Sequence, residues 1–322
     1  MIEAGRLSLN QATVKHLSVP DAAALCARHE IGGIGLWREQ VGECGVGKAA
    51  AAVRRAGLHV SSLCRGGFFT HAEPDARAAA LADNRAAIAA AAELGADVLI
   101  LVSGGLVPGS RDSGLARRMI ADAIGELVPA AERAGVRLGI EPLHPMYCAD
   151  RCVISTLAEA IDLARQFPAD VAGVVVDTYH VWWDVRLPAE IARAAGRIFS
   201  FQLADWTLPL PTDVLLGRGH VGDGVIDFRA IAAAVEAAGY TGYVEVEIFN
   251  QRIWDAPADT TAATVRERFA TILALPQHDG ARQRAEPVSH VFLAGVGRWA
   301  ACATRLASVR TCLWGGGLPR EP

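Results

Sequence analysis

The sequence predicts an α/β fold, a (β/α)8 TIM barrel in which eight parallel strands are each followed by a helix. The first observation is that short apolar runs alternate with Ala-rich amphipathic stretches eight times. Strict alternation of this kind favours a parallel sheet with helices outside it. The second is that the apolar runs are nearly continuous, as expected for strands buried on both faces. The third is length, because eight units within roughly 270 residues suit such a barrel.

Each predicted strand is a short apolar run bounded by Gly, Pro or polar residues. A clear example is the run of three Val residues that ends in Asp177. A doubly wound open sheet is the alternative fold, but it would place a Gly-rich loop after an early strand. In GGIGLW the glycines stand at the start of the strand, which favours the barrel. The predicted strands are 6–12, 32–37, 58–64, 97–105, 136–145, 171–177, 197–205 and 242–249.

Helices are predicted where apolar residues recur with the spacing of one helix face. Ser18 precedes the first helix and can cap it, while Gly57 and Gly95 mark the ends of the second and third. Pro129 lies inside the fourth helix and can kink it. The predicted helices are 20–30, 47–57, 77–95, 115–135, 155–167, 187–196, 228–239 and 260–275.

These elements assign residues 1–275 to the barrel and leave 276–322 without a place in it. The last stretch mixes Cys, Trp, Arg and Gly with no clear period. Two interpretations stay open: a read-through or frame artefact, or a flexible, loosely helical tail. No function is predicted for this stretch.

Composition narrows the class of protein. The net charge of −4 argues against a nucleic-acid partner, which usually requires a basic surface. The beginning of the chain lacks a basic-then-apolar signal pattern, and no apolar run reaches the roughly 18 residues of a membrane span. Seven cysteines at scattered spacings favour reduced thiols over a disulfide framework. We therefore expect a cytoplasmic, soluble protein without a membrane partner.

Polar side chains stand where the later strands end, which is where a (β/α)8 barrel places its active site. Each could cap a helix or pair with Arg. Together they indicate more, because a carboxylate in an apolar strand is costly unless it is paired, protonated or metal-bound. Which of Glu245 and Glu247 points inward is a question of strand register. The side chains, strand by strand, are Glu141 and His144; Asp177 and His180; Gln202 and Asp205; and Glu245, Glu247 and Asn250.

The order of these residues resembles the xylose-isomerase-like TIM-barrel superfamily, which includes the second family of AP endonucleases. The resemblance covers about residues 6–275 and rests on GIEPLHP, VVVDTYH, FQLADW, GRGHVGDGVIDF and EVEIFN. It implies one divalent metal ion held by Glu141, Asp177, Gln202 and Glu247. Most members carry His where this chain has Gln202, and some dehydratase relatives carry Gln. Oxygen donors with an amide favour Mn²⁺, Mg²⁺ or Co²⁺ over Zn²⁺.

The resemblance also implies substrate contacts. His180 would face the substrate, or alternatively bond to Asp184 or Asp177 as support for the metal site. Arg218 and His220 lie in a Gly-rich loop that fits a clamp on substrate or phosphate, although a plain turn is the alternative. His144 is a further candidate contact. Aromatic residues after the strands could wall the pocket, namely Trp37, Phe68, Trp182, Trp183 and Trp254.

The function that the resemblance implies is a sugar or sugar-phosphate isomerase or epimerase. Glu141 and Glu247 on nonadjacent strands could flank the substrate and exchange the α-proton, with the metal stabilising the enediolate. A dehydratase of a cyclic polyol or hydroxy-ketone, similar to inosose or 3-dehydroshikimate dehydratase, is the alternative. A zinc endonuclease and a non-catalytic sugar-binding protein are weaker alternatives. The partner expected is a small sugar or polyol, and a homo-oligomer is compatible with the family.

Overall fold

Eight parallel strands close into a barrel in the computed structural model, which describes residues 2–274. The last barrel strand pairs with the first, with Ser8 beside Glu245, and every neighbouring pair is parallel. The predicted fold is therefore confirmed. The tail predicted at 276–322 lies outside the described residues. The strands are β1 (Leu7–Asn10), β2 (Gly33–Trp37), β3 (His59–Gly67), β4 (Val98–Val102), β5 (Arg137–Ile140), β6 (Ala172–Asp177), β7 (Ile198–Leu203) and β8 (Val244–Val246).

Helices connect the strands on the outside of the barrel. Ser18 caps the first by accepting a hydrogen bond from the Asp21 amide, and Gly95 ends the fourth in the left-handed conformation, as the sequence predicts. The helices are α1 (Val19–Arg28), α2 (Arg38–Cys44), α3 (Val46–Arg55), α4 (Pro74–Leu94), α5 (Ser113–Ala134), α6 (Leu157–Ala164), α7 (Thr178–Val181), α8 (Leu187–Arg193), α9 (Phe228–Ala237), α10 (Gln251–Asp255) and α11 (Ala258–Phe269).

Strand ends differ from the prediction where the chain leaves the barrel wall. The strand predicted at 136–145 ends at Ile140, because Pro142 has no amide hydrogen to continue the ladder. The strand predicted at 242–249 is only β8, although the Glu247 amide still donates to the Leu203 carbonyl at 3.0 Å. The short helices α2, α7 and α10 are not predicted by the sequence, and α7 and α10, with 4 and 5 residues, are too short to show a helical period.

Two further observations bear on the predicted class of protein. The five cysteines among the described residues are free thiols. Within residues 2–274, none of the helices has both the length and the apolar character that crossing a membrane requires.

Candidate active site

Three carboxylates lie at the carboxyl ends of β5, β6 and β8. Glu141 follows β5, and its amide donates to the Leu101 carbonyl of β4 at 3.2 Å. Asp177 is the last residue of β6, and Glu247 follows β8. Each of the three carboxylates is at most 5% exposed. The structure therefore brings together the three acidic residues that the sequence singled out.

Arg218 is the cation that faces these carboxylates. Its Nη1 lies 3.1 Å from Asp177 Oδ2 and 2.9 Å from Glu247 Oε2. The same nitrogen donates to the Glu247 carbonyl at 3.2 Å, and the residue is only 3% exposed. The sequence predicted Arg218 as a substrate clamp, and the structure adds that it forms buried ion pairs with two predicted metal ligands.

Asp205 holds the loop that brings Arg218 into the barrel mouth. Arg218 and Gly219 form a two-stranded antiparallel ribbon with Asp205 and Trp206. The Asp205 carboxylate accepts hydrogen bonds from four backbone amides, which belong to Trp206, Gly222, Gly224 and Ile226. A Cβ at Gly224 would lie 2.1 Å from the Trp206 carbonyl oxygen, so no larger residue fits there. Asp205 is thus a structural residue of the site.

The carboxylates repel one another in a buried environment. Burial, followed by the charges of Asp177 and Glu247, raises the pKa of Glu141 well above its usual range. Burial also raises the pKa of Asp177, against the opposing effect of Arg218. For Glu247, burial outweighs the effect of Arg218 and raises the pKa to about 7. Three carboxylates and one guanidinium leave an excess of negative charge that a divalent cation would compensate.

Gln202 supplies a further oxygen on β7. Its Nε2 donates to Glu245 Oε1 at 2.9 Å, which fixes the orientation of the amide. Its Oε1 is buried and has no hydrogen-bond partner. A buried carbonyl oxygen without a donor is unfavourable unless something else binds it. In register, Gln202 stands beside Asp177 on one side and Glu245 on the other. The free oxygen and three carboxylates therefore fit a hard divalent cation.

Glu245 and Glu247 take different roles, which answers the question of register. Glu245 is 1% exposed inside the barrel and accepts hydrogen bonds from Asn10 Nδ2 at 2.6 Å and from Gln202. It also accepts from the hydroxyls of Ser61 and Ser62. Four side-chain donors thus satisfy Glu245 without a cation, whereas Glu247 faces Arg218.

Replacing Glu245 with Gln should destabilise the protein by at least about 2 kcal/mol, because buried donors that lose their acceptor cost about 1–3 kcal/mol each. One carbonyl oxygen cannot accept from all four donors. The measurement is the free energy of unfolding in urea. Glu132→Gln, at an exposed position of α5, is the control and should leave stability unchanged. Equal stability of wild type and Glu245→Gln would show that the four hydrogen bonds contribute nothing net.

His180 and Arg218 present two hydrogen-bond donors to one region. His180 Nδ1 accepts from the His144 amide at 3.1 Å, so in the neutral ring the proton is on Nε2. Burial and the nearby Arg218 lower the pKa of His180 well below its usual value, which favours that neutral ring. Arg218 Nη2 lies 3.0 Å from Nε2. Two donors cannot satisfy each other, so an acceptor oxygen that lies beside the pair, within reach of both nitrogens, would bind both.

A single cavity gathers these groups, with a volume of ≈ 180 Å³. This is smaller than the roughly 300–1,000 Å³ of pockets that bury drug-sized ligands, which favours a small molecule. Trp37 and Phe68 line it, as two of the five predicted wall residues. Asp177 and Gln202 lie behind this surface. Its lining comprises Trp37, Cys64, Arg65, Phe68, Ile100, Val102, Glu141, Leu143, Tyr147, Arg151, His180, Leu215, Arg218, Glu247 and Phe249.

Three predicted substrate contacts do not line this cavity. His144 packs against Trp206 with ring centroids 4.9 Å apart. Trp183 donates from its indole nitrogen to the His180 carbonyl at 2.8 Å. His220 lies in the Gly-rich loop, with its Nδ1 buried and unpartnered. The cavity gives no support to a substrate contact by these three residues, which the sequence suggested because His144 and Trp183 follow strand ends and His220 lies in the Gly-rich loop.

Sequence reasoning missed four residues of the cavity that carry polar or titratable side chains, besides five apolar ones. Cys64 lies at the end of the predicted third strand, with its thiol 3.9 Å from Glu247 Oε1. Arg65 follows Cys64, and this position after a strand was a usable signal. Tyr147 and Arg151 lie in the loop after β5, where nothing in the sequence distinguishes them from surface residues.

A family model described as "Xylose isomerase-like TIM barrel" matches residues 23–271. The chain belongs to this family. A crystal structure of protein SMc04130 from Sinorhizobium meliloti 1021 is 44% identical in sequence, with a TM-score of 0.81. The match covers 84% of this chain and 99% of that one. The resemblance to the xylose-isomerase-like TIM-barrel superfamily that the sequence predicted is therefore confirmed.

Relatives of this xylose isomerase-like barrel carry several activities. An inosose isomerase of Bacillus velezensis is 27% identical over 161 residues, which are 49% of this chain and 55% of that protein. A 3-dehydroshikimate dehydratase of Pseudomonas aeruginosa is 31% identical over 175 residues, 53% of this chain and 26% of that protein. The matched segments thus span about half or less of these relatives.

A solved structure of the IolI protein with a bound zinc atom has the same fold. It is 18% identical, with a TM-score of 0.72, and the match covers 83% of this chain and 98% of that one. At this identity the similarity concerns the fold alone.

Proposed function

We propose that the protein is a divalent-metal-dependent sugar or sugar-phosphate isomerase or epimerase, which removes the proton next to a substrate carbonyl. The observation that carries this proposal is the convergence of three buried carboxylates and the unpartnered Gln202 oxygen beside one small cavity. The inosose isomerase among the relatives supports the same class of activity.

The residues that would hold the metal are Glu141, Asp177, Gln202 and Glu247. When bound, a divalent ion would polarise the substrate carbonyl and lower the pKa of the neighbouring C–H. An all-oxygen set favours Mn²⁺, Mg²⁺ or Co²⁺. The zinc in the IolI structure makes Zn²⁺ an ion to test alongside them.

The side chains around the cavity would transfer protons, bind the substrate and exclude water. Glu141 and Glu247 line it from different strands, so they can approach a substrate carbon from two sides. A carboxylate that takes the proton and returns it to the neighbouring carbon gives an isomer, provided that the hydroxyl proton passes to the former carbonyl oxygen. Return of a proton by the second carboxylate on the opposite face gives an epimer. His180 and Arg218 would bind a substrate oxygen between their two donors. The apolar lining excludes water from the reacting carbons.

A dehydratase of a cyclic polyol or hydroxy-ketone is the second candidate function. Gln202 stands where most family members are expected to carry His, and some dehydratase relatives carry Gln. The match to a 3-dehydroshikimate dehydratase supports the same alternative. The first step is identical, because removal of the α-proton also precedes loss of a β-hydroxyl. The two candidates differ in whether water leaves.

The test is proton exchange in D2O with full-length protein and a panel of ketoses, ketose phosphates, inososes and 3-dehydroshikimate, followed by NMR. We expect deuterium at the carbon next to the carbonyl, loss of exchange after chelation, and recovery on adding Mn²⁺, Mg²⁺, Co²⁺ or Zn²⁺. An isomer or epimer as product supports the first function, whereas an unsaturated product supports the dehydratase.

The control for this measurement is the chelated protein to which Ca²⁺ is added, which tests for a general ion effect. Metal content by mass spectrometry should be about one divalent ion per chain. Exchange that persists unchanged after the metal is removed contradicts the proposed mechanism. So does a protein that takes up none of Mn²⁺, Mg²⁺, Co²⁺ and Zn²⁺.

A further inference from the structure

The lining of the cavity includes three polar side chains that the proposed reaction does not use. Arg65 and Arg151 line the cavity together with Tyr147, and none of these three belongs to the predicted metal site. Arg65 follows β3, and Arg151 lies in the loop after β5. Polar groups that line a cavity and have no role in its chemistry are candidates for recognition of the remainder of the substrate.

Arg65 has no carboxylate partner among the described residues. Its guanidinium lies 4.4 Å from the centre of the Phe68 ring and 5.8 Å from that of Trp37, so aromatic faces support it. Phe68 itself has a φ of 55°, which is uncommon for a residue with a side chain and marks a constrained position. The guanidinium is therefore held at the cavity with its hydrogen-bond donors available.

Arg151 and Tyr147 are similarly available. The nearest carboxylate to Arg151 is that of Asp150, at 3.9 Å, and it is 69% exposed, so this ion pair is weak. The Tyr147 residue is 5% exposed, and its hydroxyl has no hydrogen-bond partner in the structure. A buried hydroxyl that lines a cavity without a partner is satisfied when a ligand or water binds there.

Charge indicates what these groups would bind. Five charged side chains line the cavity, namely Glu141, Glu247, Arg65, Arg151 and Arg218. With Asp177 and Glu245 behind them, four carboxylates face Arg218 and the divalent ion of the proposed function, which together carry three positive charges. Arg65 and Arg151 stand outside these ion pairs, because Arg65 has no carboxylate partner among the described residues and Arg151 has only the exposed Asp150. A neutral sugar would leave them unpaired.

We propose that the substrate carries an anionic group, a carboxylate or a phosphate, which Arg65, Arg151 and Tyr147 bind in this cavity. The charge balance in this inference rests on the proposed function, whereas the positions of the three side chains do not. Arginine suits both anions because its guanidinium donates two parallel hydrogen bonds. The substrate class is thus a polyhydroxylated carbonyl compound with a terminal or ring-attached acid.

The test compares D-glucose, D-glucuronate and D-glucose 6-phosphate as probes, which share a carbon skeleton and differ at one end. Binding to metal-loaded full-length protein is measured by titration calorimetry at low ionic strength. We expect one or both anions to bind at least about tenfold more tightly than glucose, because charge-assisted hydrogen bonds exceed neutral ones. Tighter binding of glucuronate identifies a carboxylate, and tighter binding of the phosphate identifies a phosphate.

The same titration with Arg65→Gln, Arg151→Gln and Tyr147→Phe assigns the preference to these residues. Each Arg variant should lose most of the preference for the anion, and the Tyr variant should lose part of it. Arg111→Gln, an exposed arginine in the loop after β4 at the same end of the barrel, should retain it fully. The inference is overturned if glucose and both anions bind with equal affinity, or if none of the three probes binds. It is also overturned if both Arg variants keep the preference for the anion.

Turnover separates this inference from the proposed function. Protein that binds the anions through Arg65 and Arg151 but exchanges no proton in any probe supports the inference and contradicts the proposed function. Protein that isomerises neutral ketoses without a preference for anions supports the proposed function and overturns the inference.

Discussion

Asp177→Asn is expected to abolish metal retention and to lower turnover by about a thousandfold or more. A Lewis-acid metal contributes several kcal/mol to such a reaction, and each 1.36 kcal/mol corresponds to a factor of ten in rate. Asp177 Oδ1 accepts a hydrogen bond from the Tyr179 amide at 2.8 Å, and Asn can preserve this contact through its own oxygen. The variant should therefore fold while losing the charge at Oδ2. Metal content by mass spectrometry and proton exchange in D2O are the measurements.

Asp184→Asn is a matched control in the same loop. Its Oδ1 accepts from the Arg186 amide at 2.9 Å, a contact that the amide oxygen can keep, and Asp184 does not line the cavity. It should retain both metal and activity. If Asp177→Asn bound the metal as tightly as the wild type, Asp177 would not be a ligand and the proposed site would have to be abandoned.

Arg218→Gln is expected to destabilise the metal-free protein by about 3–5 kcal/mol, as is typical when one partner of a buried ion pair is removed. The loss leaves Asp177 and Glu247 without their cation in a buried site. A divalent ion should restore part of this stability, because it supplies the missing charge. The stabilisation on adding Mn²⁺ should thus be larger in the variant than in the wild type. Urea unfolding with and without Mn²⁺ measures both effects.

Arg218→Lys separates the charge of this residue from its contact with His180. A lysine ammonium can compensate the carboxylates, but it does not supply the second nitrogen that lies 3.0 Å from His180 Nε2. We expect stability close to that of the wild type and turnover reduced by about tenfold or more. Unchanged stability in Arg218→Gln without metal would show that Arg218 does not compensate the carboxylates.

The residues of the chain predicted the barrel and the positions of its acidic side chains. The alternation of apolar runs with helical stretches specifies the fold, and the end of each strand then specifies where Glu141, Asp177 and Glu247 meet. These inferences need only the periodicity of the chain and the geometry of a parallel barrel. The predicted roles of these carboxylates as metal ligands and as the acid–base pair stay predictions.

The contacts made by loops could not be predicted in the same way. Arg218 reaches the carboxylates because Asp205 gathers four amides of a Gly-rich loop, and no periodic pattern encodes that arrangement. Tyr147 and Arg151 lie in an irregular connection, so only the folded chain shows that they line the cavity. A position after a strand does not by itself direct a side chain into the cavity. The side chains of three residues chosen from the sequence do not line it, namely His144, Trp183 and His220.

The hydrogen bond between Gln202 and Glu245 defines what a side chain at position 202 has to supply. Glu245 requires one N–H donor from position 202, and the side chain above it must present one free electron pair to the barrel mouth. A neutral histidine satisfies both requirements as well as glutamine does, with one ring nitrogen facing Glu245 and the other facing the mouth. An exchange of amide for imidazole here would therefore keep the donor to Glu245 and replace a free oxygen by a free nitrogen, without any second change in the carboxylate beneath.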